Sequence, residues 1–566
     1  MLEQKWNIIN NHDAARVKDF AGQLNSSPIL ARVLLNRGIE DIETARSFFR
    51  PLLADLHDPF LMAGMHEAVR RIQRAIINKE KILIYGDYDV DGTTATSMLL
   101  RFFQMLPHPV DFYVPDRLSE GYGLSESGIQ HADKQRFTLI ITVDCGITAV
   151  EEIHFANSLG LDVIVCDHHQ PGSELPPGVA ILNPKRQDCP YPFKELAGVG
   201  VAFKLAQALQ QHLMLEESSL FGLLEFVAIG SSADIVPLLD ENRIFVKAGL
   251  QNLSRTHYAG LKALLETVGI YGHDLGTGQV VFMIAPRINA AGRLGDAGRA
   301  VHLLTTENAQ QAKNIATILE VENRHRRDID EQTFLEAVKI VENNFDPEKE
   351  RVLVLQKEGW HPGVIGIVAS RIVEKYYRPT VMIAMDNGTG KGSARSIPGF
   401  NLYHALSQCD QLMLAFGGHK YAAGLSIQSE NIVELRQRLN DLAFEYLTDE
   451  QLKPKLSIDD EIRLNQITPE LIKLLNRMAP FGPQNMRPVF VTRGMQAVGT
   501  PTIVGKNHLK FKVRQEGVVF DAIGFDLGHL VYRISPGENS VEMVYVIEEN
   551  EWNNRKRIQL RVKDLR

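Results

Sequence analysis

The sequence contains 566 residues, of which 44% are hydrophobic, and its formal net charge is −8. This length predicts about three globular domains. The negative net charge argues against a protein that binds polyanions in general, so any contact with nucleic acid requires a local group of basic residues. No apolar run reaches the length of a membrane span, and the amino terminus lacks a signal-peptide pattern. The cysteines have no CxxC spacing, which favours a reducing cytoplasm: Cys145, Cys166, Cys189 and Cys409.

Residues 1–50 contain the apolar helical segment 29–35, and we expect them to form an N-terminal helical cap. From about residue 66 to residue 240, predicted strands and helices alternate. The strands are predicted at residues 81–85, 111–114, 138–143 and 163–166, and a helix at 93–106. This alternation predicts an α/β fold with a mostly parallel sheet covered by helices on both faces.

Three aspartates at alternate positions, Asp87, Asp89 and Asp91, follow the first of these strands. Ligands bind at the carboxyl ends of strands in open α/β sheets, and carboxylates this close repel one another unless a cation or protons intervene. An EF-hand calcium loop is one alternative, but Met98 stands where its bidentate glutamate is needed. A solvated acidic turn is another, so the partners further along the chain decide the interpretation.

Similar polar residues follow the later strands. Asp144 comes after the third strand, His168 and His169 after the fourth, and Asp234 after the apolar segment 223–227. Each of them alone could cap a helix or lie on the surface, but together they predict a dinuclear metal site at one sheet edge. Two divalent ions about 3.5–4 Å apart clamp the attacking and leaving oxygens of a phosphoryl displacement.

A bridging carboxylate is needed in such a site, and Asp144 is the natural candidate. Mixed carboxylate and imidazole ligands favour Mn²⁺ without excluding Mg²⁺. The metals would lower the pKa of a bound water and supply hydroxide near neutral pH. The expected substrate class is therefore a phosphate ester or anhydride.

These motifs resemble those of the DHH phosphoesterase superfamily, and the whole chain is similar to its single-strand-specific 5′→3′ DNA exonucleases. The shared segments are residues 89–92, 120–123, 144, 167–169, 196–200, 287–293, 392–396 and 417–419. One departure is Ser231-Ser232 in Gly230–Asp234, where the family more often has Thr-Val. The resemblance implies that the metal ligands are Asp89, Asp91, Asp144, His168 and Asp234. It implies catalytic or supporting roles for Asp87 and His169 beside Asp144 and His168.

The family resemblance also implies the order of the domains. Residues 51–305 would form the DHH catalytic domain, and residues 347–450 a second α/β lobe of the DHHA1 type. Residues 307–344 contain neither Gly nor Pro, which predicts a long helix of roughly 55 Å within the connecting segment 306–346.

Several cationic residues are candidates for DNA binding. Ser393 and Arg395 lie in segment 391–396, which suits an anion nest, and we expect them to bind a 5′ phosphate together with Arg117, with His419 nearby. An alternative for Arg117 is an ion pair with Glu120. Arg287 and Arg293 flank the small-residue segment 289–292, which is predicted to be a turn. This turn either lies near the substrate or packs tightly beneath the site.

The C-terminal residues 455–566 contain alternating apolar and polar runs, which predict a small β-barrel, plausible as an OB-fold. Lys506 and Lys510 belong to a basic surface with aromatic residues close by. Such a surface suits single-strand binding by backbone charge and base stacking, although a solvated barrel face is the alternative, because edge strands favour lysine.

The sequence therefore predicts a two-metal 5′→3′ exonuclease for single-stranded DNA that releases 5′-mononucleotides in DNA repair and recombination. The first alternative is a DHH phosphoesterase for short oligonucleotides, cyclic dinucleotides or pyrophosphate. A second is a non-enzymatic scaffold of the same fold, which the complete ligand set opposes. The resemblance implies single-strand-binding protein and a helicase as partners, and we expect a cytoplasmic monomer with no membrane contact.

Overall fold

The computed structural model describes residues 4–106, 108–117, 119–535, 537, 541–552 and 555–566. The chain forms two compact units. The large unit comprises Asn7–Gly292, Asp296–Thr317 and Ser457–Arg566, and the small unit comprises Arg293–Gly295 and Ile318–Leu456 with the first residues of the chain. Within the described ranges, no helix has both the length and the apolar character needed to cross a membrane.

Short helices follow the first strand. The elements are β1 (Lys5–Ile8), α1 (Ala14–Leu24), α2 (Pro28–Leu35) and α3 (Ile42–Phe49). The helices begin at Asp13, Ser27 and Asp41, whose side chains accept hydrogen bonds from backbone N–H groups of the first turn. Helix α2 coincides with the apolar helical segment predicted from the sequence.

A five-stranded sheet organises the DHH region, and its strand order is β3-β2-β4-β5-β6. All of its strand pairs are parallel, as the sequence predicted. The inner strands β2 and β4 are buried along their whole length, because helices cover both faces of the sheet. The elements are α4 (Met65–Asn78), β2 (Ile82–Gly86), α5 (Val90–Gln104), β3 (Val110–Tyr113), α6 (Glu126–Lys134), β4 (Leu139–Val143), α7 (Val150–Ser158), β5 (Asp162–Cys166) and β6 (Ala180–Leu182).

A run of helices completes this region. They are α8 (Gly198–His212), α9 (Leu224–Ala233), α10 (Asp240–Leu253), α11 (Ala259–Thr267), α12 (Thr277–Gln279), α13 (Ala285–Leu294), α14 (Gly298–Thr305) and α15 (Ala309–Asn344). A π-helical turn, Val280–Ile284, joins α12 to α13. Helix α15 matches the predicted long helix.

Two sequence interpretations are wrong here. The apolar segment before Asp234 is helix α9 and not a strand, because a helix buried on all sides has the same continuous apolar pattern as a buried strand. The small-residue segment 289–292 lies inside α13 and is not a turn, since alanine is the strongest helix former.

A buried ion pair fixes α8 against α10. Lys204 Nζ lies 3.0 Å from Glu241 Oε1, and both side chains are fully buried. Tyr191 donates a hydrogen bond to the second carboxylate oxygen at 2.6 Å, and Lys204 also donates to the His57 carbonyl at 2.6 Å. Because these groups satisfy one another, the pair holds the helix whose first turn reaches the candidate site.

Glu225 gives this region a pH-dependent stability. Burial raises the pKa of this α9 carboxyl to about 7, so the folded state binds a proton that the unfolded state releases near pH 4.5. Stability should therefore fall by about 3 kcal/mol as pH rises from 4.5 through 7. Glu225→Gln removes that dependence, so its thermal midpoint should exceed the wild-type midpoint by more at about pH 8 than at about pH 5. Glu217→Gln, at an exposed position, is the control, and an equal offset at both pH values would contradict the prediction.

The small unit contains the second α/β sheet, with strand order β10-β11-β9-β8-β7. Only the β7–β8 pair is parallel. Helices pack on both faces, α15 and α16 on one and α17 and α18 on the other. The elements are β7 (Leu353–Glu358), α16 (Pro362–Tyr376), β8 (Thr380–Asp386), β9 (Thr389–Arg395), α17 (Leu402–Ser407), β10 (Met413–Gly418), β11 (Ala422–Gln428) and α18 (Ile432–Tyr446).

The predicted anion nest in segment 391–396 is wrong. Most of this segment belongs to β9, an inner strand that pairs with β8 on one side and β11 on the other. Its backbone N–H groups therefore serve the sheet. Only side chains of this segment, such as Ser393 and Arg395, remain to contact a ligand.

A closed barrel forms the C-terminal region, as predicted. The strand order is β14-β15-β16-β18-β17, and pairing of β14 with β17 closes it. The β16–β18 pair is parallel, which together with the order gives the five-stranded topology of an OB-fold. The elements are β12 (Lys455–Ile458), β13 (Asp460–Glu461), α19 (Pro469–Arg477), β14 (Val489–Val504), β15 (His508–Gln515), β16 (Val518–Gly524), β17 (Val541–Trp552) and β18 (Arg555–Leu565).

The N-terminal helices and the barrel share one apolar core in the large unit. Arg37 pairs with Asp459 at 2.8 Å and Arg32 with Asp460 at 3.1 Å across the same contact. The predicted N-terminal cap therefore packs on the barrel.

Candidate metal centre

The first acidic cluster lies where strand β2 passes into helix α5. Asp87 follows the strand and is almost fully buried. Asp89 is the N-cap of α5, and its Oδ1 accepts hydrogen bonds from the N–H groups of Asp91 and Gly92 at 2.9 and 3.1 Å. Asp91 lies in the first turn, where a negative charge is favoured by the helix dipole.

The N-terminus of helix α8 holds the Asp91 carboxylate. Asp91 Oδ2 accepts a hydrogen bond from Gly198 N–H at 2.6 Å, and Oδ1 accepts one from Val199 N–H at 2.9 Å. Burial and the charge of Asp89 nevertheless raise the pKa of Asp91 to about 7. The site thus holds more negative charge than the protein itself neutralises.

Asp144 follows strand β4 and lies at the centre of the cluster. Its backbone is left-handed, with φ of 60°, a conformation that costs a residue other than glycine about 1 kcal/mol or more. Its buried Oδ1 lacks a hydrogen-bond partner among the described residues. Burial and the charges of Asp91 and Asp89 raise the pKa of Asp144 well above its ordinary value. Strain and an unsatisfied carboxylate at one residue indicate a functional position.

His168 brings two helices and two strands together. Its Nε2 lies 3.2 Å from Asp144 Oδ1 and 3.5 Å from Oδ2 of Asp234, the residue that directly follows helix α9. Burial, followed by the charge of His169, lowers the pKa of His168 to about 3. The imidazole is therefore neutral, which is the form that binds metals.

His169 is held differently. Its Nδ1 lies 2.7 Å from Asp167 Oδ1, and the Tyr122 hydroxyl lies 3.3 Å from its ring nitrogens. Burial alone would lower the pKa of His169, but the hydrogen bond and charge of Asp167 raise it. Tyr122 also donates a hydrogen bond to the Asp144 carbonyl at 3.2 Å. This arrangement orients the His169 imidazole at the edge of the site and favours its protonated form.

The donor atoms fall into three overlapping groups, each within 4.8 Å. The groups are Asp87, Asp89 and Asp144; Asp91, His168 and Asp234; and Asp144, His168 and His169. Asp144 and His168 each belong to two groups. Buried donor atoms of Asp87, Asp144 and His168 have no hydrogen-bond partner among the described residues, as expected for atoms that bind a cation. The carboxylate and imidazole donor set fits a divalent ion such as Mn²⁺ or Mg²⁺.

The close contact of Gly198 with Asp144 yields a matched pair of variants. A Cβ on Gly198 would lie 2.6 Å from Asp144 Oδ1 and 2.7 Å from its Cβ, whereas a Cβ on Gly200 would make only ordinary contacts, the nearest at 3.4 Å. Gly198→Ala should displace Asp144 and lower divalent-ion affinity at least tenfold, measured by calorimetry. Gly200→Ala should keep that affinity and stabilise α8 by up to about 1 kcal/mol. Equal ion affinity in both variants would contradict the prediction.

The predicted DNA-binding residues are distributed over the two units. In the large unit, the Arg117 guanidinium lies 5.2 Å from the Tyr88 ring centre, and Arg287 donates a hydrogen bond to the Met283 carbonyl at 2.5 Å. Glu120 accepts hydrogen bonds from Tyr113, Ser125 and Ser127. The alternative interpretation of Arg117 is an ion pair with Glu120. The Glu120 carboxylate, however, is already hydrogen-bonded to these three hydroxyl groups.

In the small unit, Arg395 Nη1 donates a hydrogen bond to Ser393 Oγ at 3.2 Å. A Cβ on Gly366 of α16 would lie 2.8 Å from Ser393 Oγ and 3.2 Å from Arg395 Nη2. Arg293 donates to the Gly363 carbonyl in the first turn of the same helix at 3.0 Å. These three side chains therefore lie close to the start of α16, while His419 follows β10.

On the barrel, β15 alternates strictly. Leu509, Phe511 and Val513 point into the core, and Lys510, Lys512 and Arg514 point outward. Lys506 is exposed in the turn before this strand. These cations of β15 therefore share one barrel face, where Lys512 Nζ lies 3.7 Å from Asp521 Oδ1, and a role of this face in DNA binding stays a prediction.

Three contributors to the site have no role assigned from the sequence. Asp167 belongs to the motif 167–169 and orients His169. Tyr122 lies in the shared segment 120–123, and Gly198 lies in segment 196–200. Gly198 begins helix α8, and helix N-termini are common sites for binding a carboxylate through backbone N–H groups.

Three family profiles match the chain: "DHH family, N-terminal domain" over residues 81–231, "DHHA1 domain" over 349–445 and "RecJ OB domain" over 458–564. The protein named single-stranded-DNA-specific exonuclease RecJ of Bacillus subtilis is 44% identical over 99% of this chain and 71% of its own length. The chain belongs to the RecJ family.

Solved structures agree with this membership. The crystal structure of RecJ from Thermus thermophilus in complex with Mn²⁺ is 31% identical, covers 99% of this chain and 79% of its own, and has a TM-score of 0.85. Its counterpart in complex with Mg²⁺ is 29% identical, with coverages of 99% and 78% and a TM-score of 0.79. The DHH, DHHA1 and OB fold predicted from the sequence is thereby confirmed.

Proposed function

We propose that the protein is a metal-dependent 5′→3′ exonuclease that degrades single-stranded DNA, releases 5′-mononucleotides and acts in DNA repair and recombination. The observation that carries the proposal is the cluster of buried, unsatisfied carboxylate and imidazole donors around Asp144 in a chain of the RecJ family. A purely structural cluster would be expected to satisfy its buried polar atoms internally.

The proposed ligands of two Mn²⁺ or Mg²⁺ ions are Asp89, Asp91, Asp144, His168 and Asp234. Asp87, given a supporting role from the sequence, also offers an oxygen within 4.8 Å of Asp89 and Asp144, which supports a ligand role for it. When bound, the ions would lower the pKa of a water molecule and neutralise charge on the scissile phosphate. Asp144 offers an oxygen both to the group that contains Asp87 and Asp89 and to the group that contains His168 and His169. This double membership suits a carboxylate shared by two ions.

His169 is the proposed electrostatic and proton-donating residue. Asp167 orients it and raises its pKa, which favours a proton on this imidazole at the edge of the cluster. Burial and the charge of Asp89 raise the pKa of Asp87, and the positive charge of Arg117, stacked near Tyr88, opposes that rise. Arg117 therefore acts on the same cluster, and both cations would offset negative charge that develops on the phosphate.

The 5′ phosphate is proposed to bind at Ser393 and Arg395, beside the first turns of α16. Arg395 is already oriented by Ser393, and a planar guanidinium can pair two phosphate oxygens. Gly366 permits the close approach of both side chains. Further proposed DNA contacts are Arg287, Arg293, His419, Lys506 and Lys510.

Arg395→Met tests the end-binding role. The variant should lose about tenfold or more in kcat/KM on a 5′-phosphorylated strand, because it removes a charge-assisted hydrogen bond, and should change little on a 5′-hydroxyl strand. Arg438→Met, which removes an exposed arginine paired with Glu434 in the same unit, is the control. An equal loss on both strands would show that Arg395 does not read the phosphate.

Partners and location are part of the proposal. Single-strand-binding protein and a helicase are proposed partners, and a monomer is the proposed state. All four cysteines are buried and free of disulfide bonds, which supports a reducing cytoplasm.

The deciding experiment uses one long single strand labelled at either end, with Mn²⁺. It is run with a 5′ phosphate, with a blocked 5′ end and as duplex. Immediate release of labelled mononucleotide from the 5′ end only, and none from duplex, is the expected result. Activity confined to dinucleotides, cyclic dinucleotides or pyrophosphate would favour another kind of DHH phosphoesterase and would overturn the proposed exonuclease activity.

A further inference from the structure

Ile235, the residue after the proposed metal ligand Asp234, has a strained backbone. Its φ is 62°, a left-handed value that β-branched residues rarely adopt, because the Cβ atom comes too close to the carbonyl oxygen. Asp234 is the C-cap of helix α9, and the position directly after a C-cap normally holds glycine or asparagine when it is left-handed. Strain retained beside a functional site indicates that the residue has a function there.

Core packing does not explain the isoleucine at this position. The Ile235 side chain is 73% exposed, whereas Val236 and Leu238 are 7% and 1% exposed. Leu238 N–H also donates a hydrogen bond to the Pro483 carbonyl at 3.0 Å, so the chain after Ile235 is held by its own contacts. Glycine at position 235 would remove the strain and would cost little buried apolar surface. Contact with a bound molecule would explain why an isoleucine stands there.

The turn that carries Ile235 adjoins the metal centre. Asp234 N–H donates a hydrogen bond to the Gly230 carbonyl at 3.0 Å, and a Cβ on Gly230 would lie only 2.8 Å from Asp91 Oδ1. The end of α9 therefore packs directly on the cluster. Asp234 Oδ2 lies 3.5 Å from His168 Nε2, and consecutive Cα atoms are about 3.8 Å apart. The exposed Ile235 side chain thus borders the proposed metal ligands.

An aliphatic side chain at this place requires an apolar partner in the substrate. Asp89 and His169, which are also partly exposed at the cluster, are polar and suit metal ions and phosphate oxygens. In a strand bound by its scissile phosphate, the apolar surface nearest the phosphorus is the deoxyribose, whose C2′ carries only hydrogen. A ribose would bring a hydroxyl group to the isoleucine, and burying a hydroxyl without a hydrogen-bond partner is unfavourable.

We propose that Ile235 packs against the deoxyribose beside the scissile phosphate and disfavours a strand that carries a 2′-hydroxyl there. This inference rests on the proposed function, and it adds a specificity-determining residue that recognises the sugar. An apolar contact rejects an added hydroxyl by at most about a hundredfold, so Ile235 sets a preference for deoxyribose and does not carry the chemistry.

The test uses the full-length protein with Mn²⁺ and three 5′-phosphorylated strands of one sequence. One strand is all deoxyribose, and the others carry a single 2′-hydroxyl in the first or in the second nucleotide. In wild type, kcat/KM for the first cleavage should fall about tenfold on one of the two hydroxyl-bearing strands. Ile235→Gly should reduce this loss to about twofold or less, whereas Ile235→Val should retain it, because valine keeps a β-branched apolar surface. Equal losses in wild type and Ile235→Gly would overturn the proposal.

Thermal unfolding tests the strain independently. Ile235→Gly should raise the thermal midpoint by about 1 °C or more, because glycine adopts the left-handed conformation without strain. Ile77→Gly is the matched control, since Ile77 is 70% exposed and lies within helix α4. This control should lower the midpoint and leave the sugar preference as in wild type. A lower midpoint in Ile235→Gly would overturn the proposal, because it would show that the isoleucine stabilises the fold.

The all-deoxyribose strand separates this inference from the proposed function. If wild type does not degrade that strand, the proposed function fails. If wild type degrades it and loses nothing on either hydroxyl-bearing strand, only the role of Ile235 fails.

Discussion

Asp144→Asn is expected to lower nuclease turnover by about a thousandfold or more, equivalent to roughly 4 kcal/mol of transition-state stabilisation. Asp144 belongs to the donor group with Asp87 and Asp89 and to the one with His168 and His169. One substitution therefore weakens two proposed metal positions. The same variant should be more stable than wild type without metal. The reason is that the carboxylate is buried, unsatisfied and surrounded by other carboxylates that raise its pKa.

These opposite effects can be measured on one preparation. Thermal unfolding without metal should give a higher midpoint for Asp144→Asn, and added Mn²⁺ should raise the wild-type midpoint but not that of the variant. Asp133→Asn, at an exposed position on α6, should behave as wild type in both assays. Near-normal turnover of Asp144→Asn with metal bound would contradict the two-metal assignment.

Arg243→Met is expected to destabilise the large unit by at least about 4 kcal/mol. The Arg243 guanidinium is buried and donates hydrogen bonds to four backbone carbonyls at 2.9 to 3.2 Å, those of Phe48, Met478, Ala479 and Pro480. Burial lowers the pKa of Arg243 to about 10, so the side chain remains charged at neutral pH. Its loss would remove this donor from the Phe48 and Ala479 carbonyls, whereas Asn485 would still donate to the Met478 and Pro480 carbonyls at 2.9 and 2.8 Å.

This arginine on α10 connects the DHH region to the N-terminal helices and to the segment that enters the barrel. Calorimetry should therefore show the barrel and the DHH region unfolding in one transition in wild type and in two separate transitions in Arg243→Met. Arg477→Met removes an exposed arginine near the same segment and should leave the transition intact. A single, unshifted transition in Arg243→Met would contradict the coupling role.

Much of the site could be predicted from sequence because the acids follow buried strands. The apolar runs before Asp87, Asp144 and His168 are short and continuous, which is typical of inner strands in a parallel sheet. The carboxyl ends of such strands meet at one edge. The order of the motifs then sufficed to indicate the family.

Three local interpretations failed for a common physical reason. Segments 223–227, 289–292 and 391–396 are rich in small or apolar residues, and their patterns do not distinguish strand, helix and turn. Packing decided them: α9 and α13 are helices, and β9 is an inner strand. Asp234 therefore reaches the site from the end of a helix.

The sequence by itself determined the α/β sheet, the long helix, the barrel and the residue types of the metal centre, because these depend on apolar periodicity and on acids placed at strand ends. The tertiary structure alone decided which atoms meet. The contacts of Asp91 with the start of α8, of Asp167 with His169 and of Arg243 with four carbonyls join residues 2 to 237 positions apart. Most of these separations exceed the range of any local pattern, so they follow only from close packing of the folded chain.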